Sequence, residues 1–185
     1  MRRLARRPGT WLIALAAGSP LAASTLELPA ELPLGADSQI AIELDHAELQ
    51  LTSRADGLPV LHARLAAEGE SAGLGTISEG GSLTVRRLEG GETTRLRLEL
   101  MLGPGRTVRV AGSDLTVRVD DPAGPPKDGS DRSSFHLALE SSQADLTGAR
   151  VGRLELIDSS LQLSGTSGPL ALTLAGGSAN LRRHR

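Results

Sequence analysis

Cysteine is absent from this 185-residue chain, tyrosine is absent too, and one tryptophan and one phenylalanine are its only large aromatics. Without cysteine there is no disulfide, no thiolate metal ligand and no lipobox through which a lipid could be attached. The scarcity of aromatics removes the Trp and Tyr platforms on which sugar rings stack. No long apolar run is present either. The longest, WLIALAA at Trp11–Ala17, falls well short of the ~20 residues that span a bilayer. A basic excess is also missing, since the formal net charge is -2. Nucleic acid and anionic lipid, which need a basic stripe, are therefore poor partners for this chain.

What is present begins with an address label. Arg2, Arg3, Arg6 and Arg7 form a basic head, Trp11–Ala17 an apolar centre, and GSPLAAS supplies small residues, with Ala22 and Ser24 placed for cleavage after Ser24. That is the pattern of a Sec-type signal peptide over residues 1–24. Export without cysteine points to a bacterial periplasm or cell surface, because small exported eukaryotic domains are commonly stapled. Cleavage leaves no membrane span and a more acidic chain of net charge about -6. Residues 25–185 then suffice for one domain with a real core. Leu, Val, Ile and Ala must fill that core around Phe135, which favours a narrow, layered interior.

Alternation dominates the rest. In TRLRLELML, Leu96, Leu98, Leu100 and Leu102 share one face while Arg95, Arg97 and Glu99 share the other, the period of a half-buried strand. The same reading covers Ile40/Ile42/Leu44, Ala47/Leu49/Leu51, Leu83/Val85, Val108/Val110, Leu115/Val117/Val119 and Phe135/Leu137/Leu139. Parity changes at Asp45-His46, which predicts a turn or bulge. Leu58–Glu68 alternates at Leu61, Ala63 and Leu65 and reads as a strand, although its composition also suits a short helix.

Asp120–Ser134, DDPAGPPKDGSDRSS, has three prolines, two glycines and no apolar period, which predicts a loop between a β section over 25–119 and another over 135–185. After it the strands shorten and echo one another. DLTG at Asp145–Gly148 returns as QLSG at Gln162–Gly165, and SANL at Ser178–Leu181 is a fainter copy. Superposing Leu146, Leu163 and Leu181 gives steps of about 17 and 18 residues, the mark of one unit stacking on its copies. The predicted fold is all-β, a β-solenoid of short stacked strands over 135–185, in one continuous domain with a more irregular 25–119. A β-sandwich of hairpins is the alternative. The closing LRRHR would then place cations at the terminal rung, where they oppose edge-to-edge aggregation, although a generic charged tail explains the same residues.

Two stretches together carry a resemblance: Leu96–Val119, an alternating strand, a Gly-Pro-Gly turn and another strand, and the closing DLTG, RLEL and SSLQLSG rungs. They resemble the adhesin-type β-solenoid domains of exported bacterial proteins, the DUF4097-like, autotransporter-head-like group. The resemblance implies a coil of stacked strands with no assigned biochemical activity. It leaves open whether Leu26–Gly91 joins the coil.

Candidates for chemistry are sparse. His46, His62, His136 and His184 are far apart, with no ligand spacing between them; His62 and His136 fall on outward parity and read as solvated. Ser141-Ser142 and Ser159-Ser160 lack a nucleophile elbow and read as turn residues. Asp120, Asp121, Asp128 and Asp131 flank or lie in the loop, without the ordered ligands or closing Glu of a calcium loop. No catalytic, cofactor-binding or metal residue is assigned, and no cofactor. The expected function is a non-enzymatic structural or interaction module of the bacterial envelope, meeting an envelope protein or glycan. Arg150, Arg153, Glu155, Gln162 and Thr173 would be presented along one flat face. The alternative is an envelope glycan-binding protein or polysaccharide lyase acting on acidic sugars through outward Arg95, Arg97, Arg109 and Arg118.

Overall fold

A computed structural model of the chain describes residues 24–25, 30–31, 39–53, 60–63, 74–79, 82–87, 96–103, 105–121 and 133–185. The expected leader lies outside these residues except for Ser24, and so do Leu58, Leu65 and residues 122–132 of the expected loop.

The described elements are all strands. In chain order they are β1 (Ser24–Thr25), β2 (Ala30–Glu31), β3 (Gln39–Glu43), β4 (Ala47–Ser53), β5 (Val60–Ala63), β6 (Leu74–Glu79), β7 (Ser82–Arg87) and β8 (Leu96–Leu102). They continue with β9 (Thr107–Ser113), β10 (Leu115–Asp120), β11 (Ser134–Glu140), β12 (Gln143–Thr147), β13 (Arg150–Ile157), β14 (Ser160–Ser164), β15 (Ala171–Ala175) and β16 (Ser178–Arg182). Two sheets hold them, in the orders β1-β6-β7-β3-β9-β11-β13-β15 and β16-β14-β12-β10-β4-β8-β5-β2. From β7 to β15, and from β8 to β16, neighbouring strands run parallel. Each coil contributes one strand to either sheet, so the fold is a β-solenoid. Hairpins of a sandwich would have paired antiparallel, and that alternative falls.

Inward residues of successive rungs stack in columns. Leu146 pairs with Leu163 and Leu163 with Leu181, the register the repeat predicts. Phe135 lies at 0 % exposure between Val108 and Val151. The interior is an apolar slab of Leu, Val, Ile and Ala, narrow enough that one aromatic suffices.

The coil takes in more of the chain than residues 135–185, and it is not wound in chain order. The rung β3–β4 lies between β7–β8 and β9–β10, because β3 pairs with both β7 and β9, and β4 with both β8 and β10. The chain builds one rung, drops below it to build β7–β8, then passes back above to β9. Beyond β7 and β8 the pairing turns antiparallel, with β6 on β7, β1 on β6, β5 on β8 and β2 on β5. These strands cover that end of the coil.

Corners explain the turn residues. Where the chain passes from one sheet to the other, a residue in the left-handed region recurs: His46 (φ 53), Asp114 (φ 51), Ser141 (φ 48), Asp158 (φ 47), then Gly176 (φ 78). Asp and His are among the few non-glycine residues that tolerate this region. The parity change at Asp45-His46 is the first such corner. Backbone bonds run up it, His46 N–H to Ser113 O (3.0 Å), Asp114 N–H to Glu140 O (3.1 Å), Ser141 N–H to Ile157 O (2.9 Å) and Asp158 N–H to Ala175 O (2.9 Å). Just inside it, Ser159 Oγ donates to Ile157 O (2.7 Å) and accepts the Ser142 N–H (3.0 Å), while Ser142 Oγ accepts the Leu115 N–H (2.9 Å). Both serines are buried, so their hydroxyls satisfy backbone groups that water cannot reach. At the opposite corner Gly148 and Gly165 sit one above the other, Gly148 N–H bonding Ser164 O at 2.9 Å.

Candidate functional site

Among the described residues, the outer surface groups polar side chains around His136 and along the corner column of acidic residues.

β11 brings His136 beside Arg109 of β9. On the other side β13 carries an extra residue, because the pairing shifts between Phe135–Val151 and Leu137–Leu154. This is a β-bulge. Gly152 occupies it because a Cβ there would press on the His136 ring. The bulge turns the Arg153 N–H onto His136 Nδ1 at 3.2 Å. The ring is thus half-buried and held, rather than freely solvated as its outward parity predicts. Burial, then the Arg109 guanidinium, lowers the His136 pKa below its usual 6.5. The backbone donor favours the same neutral form, with Nδ1 as acceptor and the proton on Nε2. Its one lone-pair nitrogen is therefore engaged, and the free edge of the ring is a donor. Beside it Arg153 pairs with Glu155 two residues along its own strand.

The corner column sets Asp45, Asp114 and Asp158 on successive or alternate rungs. Asp45 Oδ1 accepts both the Ser113 N–H and the Ser113 hydroxyl at 2.7 Å. Asp114 Oδ2 meets His46 Nδ1 at 2.5 Å, both side chains being about half exposed. Higher up, a shallow hollow of about 370 Å³ lies between Asp114, Ser141, Gln143, Asp158 and Gly177. Among the described residues no three His, Asp or Glu side chains come close enough to hold a metal ion. The column was visible in the sequence only as an Asp, His or Ser at each change of parity.

The remaining candidates are dispersed. Arg97 and Arg118 lie on one sheet and Arg109 on the other; Arg95 lies outside the described residues. Arg97 is 3.6 Å from Glu48 on the neighbouring strand, and Arg118 stands between Gln50 and Asp145. The set expected along one flat face is split. Arg150, Arg153, Glu155 and Thr173 belong to one sheet and Gln162 to the other, because the Asp158-Ser159 corner falls between Glu155 and Gln162. His184 Nδ1 is 3.0 Å from Thr166 Oγ1. His62 lies on β5 beside Glu99 in the backbone register. Of the loop acids, Asp120 is exposed at the end of β10, Asp121 is buried, and Asp128 and Asp131 lie outside the described residues.

Set beside known proteins, the coil has a counterpart. The chain is similar to the crystal structure of a "putative cell adhesion protein" from Clostridium sporogenes, with a TM-score of 0.60 at 9 % identity, over 85 % of this chain and 97 % of that one. The likeness is one of fold. No protein-family model matches the chain, and no curated protein matches it. No helix among the described residues is long and apolar enough to cross a membrane.

Proposed function

We propose that this chain is an exported, non-enzymatic, adhesin-like module of the bacterial envelope, released from its leader after Ser24 and folded as one continuous domain. Its rigid stack would present rows of polar side chains to an envelope protein or glycan. The observation that carries this reading is the dispersal of the outward charges. Arg97 is matched by Glu48, Arg153 by Glu155, and Arg118 is flanked by Asp145. Interleaved opposite charges suit a contact surface that stays soluble.

A lyase acting on acidic sugars needs a free base next to groups that neutralise a carboxylate. His136 and Arg109 come nearest to that, but the acceptor nitrogen of His136 is taken by the Arg153 N–H. The fold likeness to the "putative cell adhesion protein" supports the same choice. Incubating the secreted protein with uronic-acid polymers, with and without Ca²⁺, tests it. Retention on polymer or cells without cleavage is the expected outcome, and appearance of unsaturated sugar ends would overturn the proposal.

A further inference from the structure

Among the described residues, further strands follow at one end of the coil and none at the other. Beyond β7 and β8 the chain lays its own antiparallel strands over the stack. Beyond β15 and β16 no described strand follows. The inward residues of this last rung are consequently half exposed: Leu172 at 36 %, Leu174 at 41 % and Leu181 at 45 %. Protein edges are usually blunted by charge, yet Ser164–Leu181 contains no charged residue. Of the LRRHR arginines only Arg182 lies in an edge strand, at the very end of β16. Residues 183–185 fold back at the corner, Arg185 N–H bonding Thr166 O (3.0 Å) and Gly168 N–H bonding Arg185 O (3.1 Å), and among the described residues no strand pairs with the outer edge of β15 or β16.

We propose that this rung is a self-pairing face: two copies of the chain join end to end about a two-fold axis passing through Thr173 and Asn180. This goes beyond the adhesin reading and does not depend on it. β15 is ALTLA, a palindrome centred on Thr173, and β16 is SANLR, centred on Asn180. Thr173 stands three residues before Gly176, and Asn180 three residues after Gly177. One axis perpendicular to the sheets therefore crosses both strands at their centres and pairs each with its own copy, antiparallel. Leu172 then faces Leu174 of the second copy, and Ala179 faces Leu181. The interior columns continue across the junction.

The backbone is poised for this register. Ala175 O accepts from Asp158 of the rung below, Arg182 O accepts from Gly165, and Ser178 N–H donates to Ser159 O. By the alternation of a strand, the N–H and C=O groups of Leu172, Leu174, Ala179 and Leu181 point to the open side. Those are the residues that the two-fold makes directly opposed, hydrogen-bonded pairs, roughly eight bonds in all. Charge is complementary as well. The Arg183–Arg185 corner of one copy falls beside the Gly176-Gly177 corner of the other, where no side chain intervenes and the Asp158 carboxylate lies beneath. An isologous contact of this kind closes at two copies.

Sedimentation velocity of the chain over a range of concentrations tests the proposal, with Asn180→Lys and Asn180→Asp as the perturbing pair. Asn180 is exposed, with the neutral Gln162 below it and Arg182 two residues along its own strand; an unaltered unfolding midpoint verifies that either change leaves the monomer intact. Like charges on the axis repel. The wild type should show a monomer–dimer equilibrium. Each variant alone should associate at least about tenfold more weakly, and an equimolar mixture of the two should recover association. Gln162→Lys, one rung lower, should leave association unchanged. A wild type that stays monomeric at high concentration, assembly beyond two copies, or a mixture no better than either variant alone would each overturn it.

Discussion

Leu146 and Leu181 stand in one interior column at different heights, and that difference has a measurable cost. Leu146 is fully buried, with Val119 below and Leu163 above, while Leu181 ends the column at 45 % exposure. Truncating Leu146 to alanine removes the transfer energy of the side chain and leaves a cavity that stacked neighbours cannot close. The expected loss is ~2–5 kcal/mol, a large part of the ~5–15 kcal/mol that holds a domain together. At Leu181 the vacated space opens onto solvent, so no cavity remains, and about half of the transfer energy is at stake, roughly 1 kcal/mol. Urea unfolding at a concentration where the chain is monomeric reads both values. Equal losses, or a larger loss at Leu181, would refute the stacking geometry.

Three other substitutions probe the corners and the one perturbed histidine. Ser159→Ala removes the buried acceptor of the Ser142 N–H and should cost about 1–3 kcal/mol in the same assay. Gly112→Ala should lower stability by about 1–3 kcal/mol or more, since φ is +148° there and a Cβ would overlap the Leu44 carbonyl; a neutral result would contradict the close approach of the two rungs. His136 has a pKa below 6.5 when folded, so below pH 6.5 the unfolded chain binds more protons and stability falls as pH falls. His136→Gln should flatten that acid-side loss in unfolding curves taken from pH 7 to pH 5, and an unchanged slope would show that the ring titrates freely.

Much of the coil was legible because its units are regular where they are uninterrupted. From Ser142 to Ser159 the step is 17 residues and from Thr166 to His184 it is 18, so the column of Leu146, Leu163 and Leu181 could be read from spacing. From Leu115 to Ser142 the step is 27, because the Asp120–Ser134 segment is an insertion within one turn of the coil. The first rung hid for another reason. Asp45 lies 68 residues from its neighbour Ser113, since the chain places β7 and β8 below β3 and β4 before it climbs past them. Alternation shows which face of a strand is buried but not which strand lies beside it. The same limit applies to the surface. Gln162 and Glu155 share outward parity, but the intervening corner puts them on opposite sheets. His136 is outward too, and only the bulge at Gly152 brings a backbone donor onto it.

The stacking order is the central claim, and the cysteine-free chain allows it to be tested on a clean background. Gln50 lies between Glu99 and Arg118, paired with each across adjacent parallel strands. Neighbouring strands sit about 4.8 Å apart and alternate ones about 10 Å apart, whereas a disulfide needs Cα atoms within roughly 4.4–6.8 Å. Under mild oxidation the Gln50→Cys/Arg118→Cys double variant should form an intramolecular disulfide, and Glu99→Cys/Arg118→Cys should not. A disulfide in the second variant and none in the first would mean that the rungs are wound in chain order, contradicting the inserted first rung.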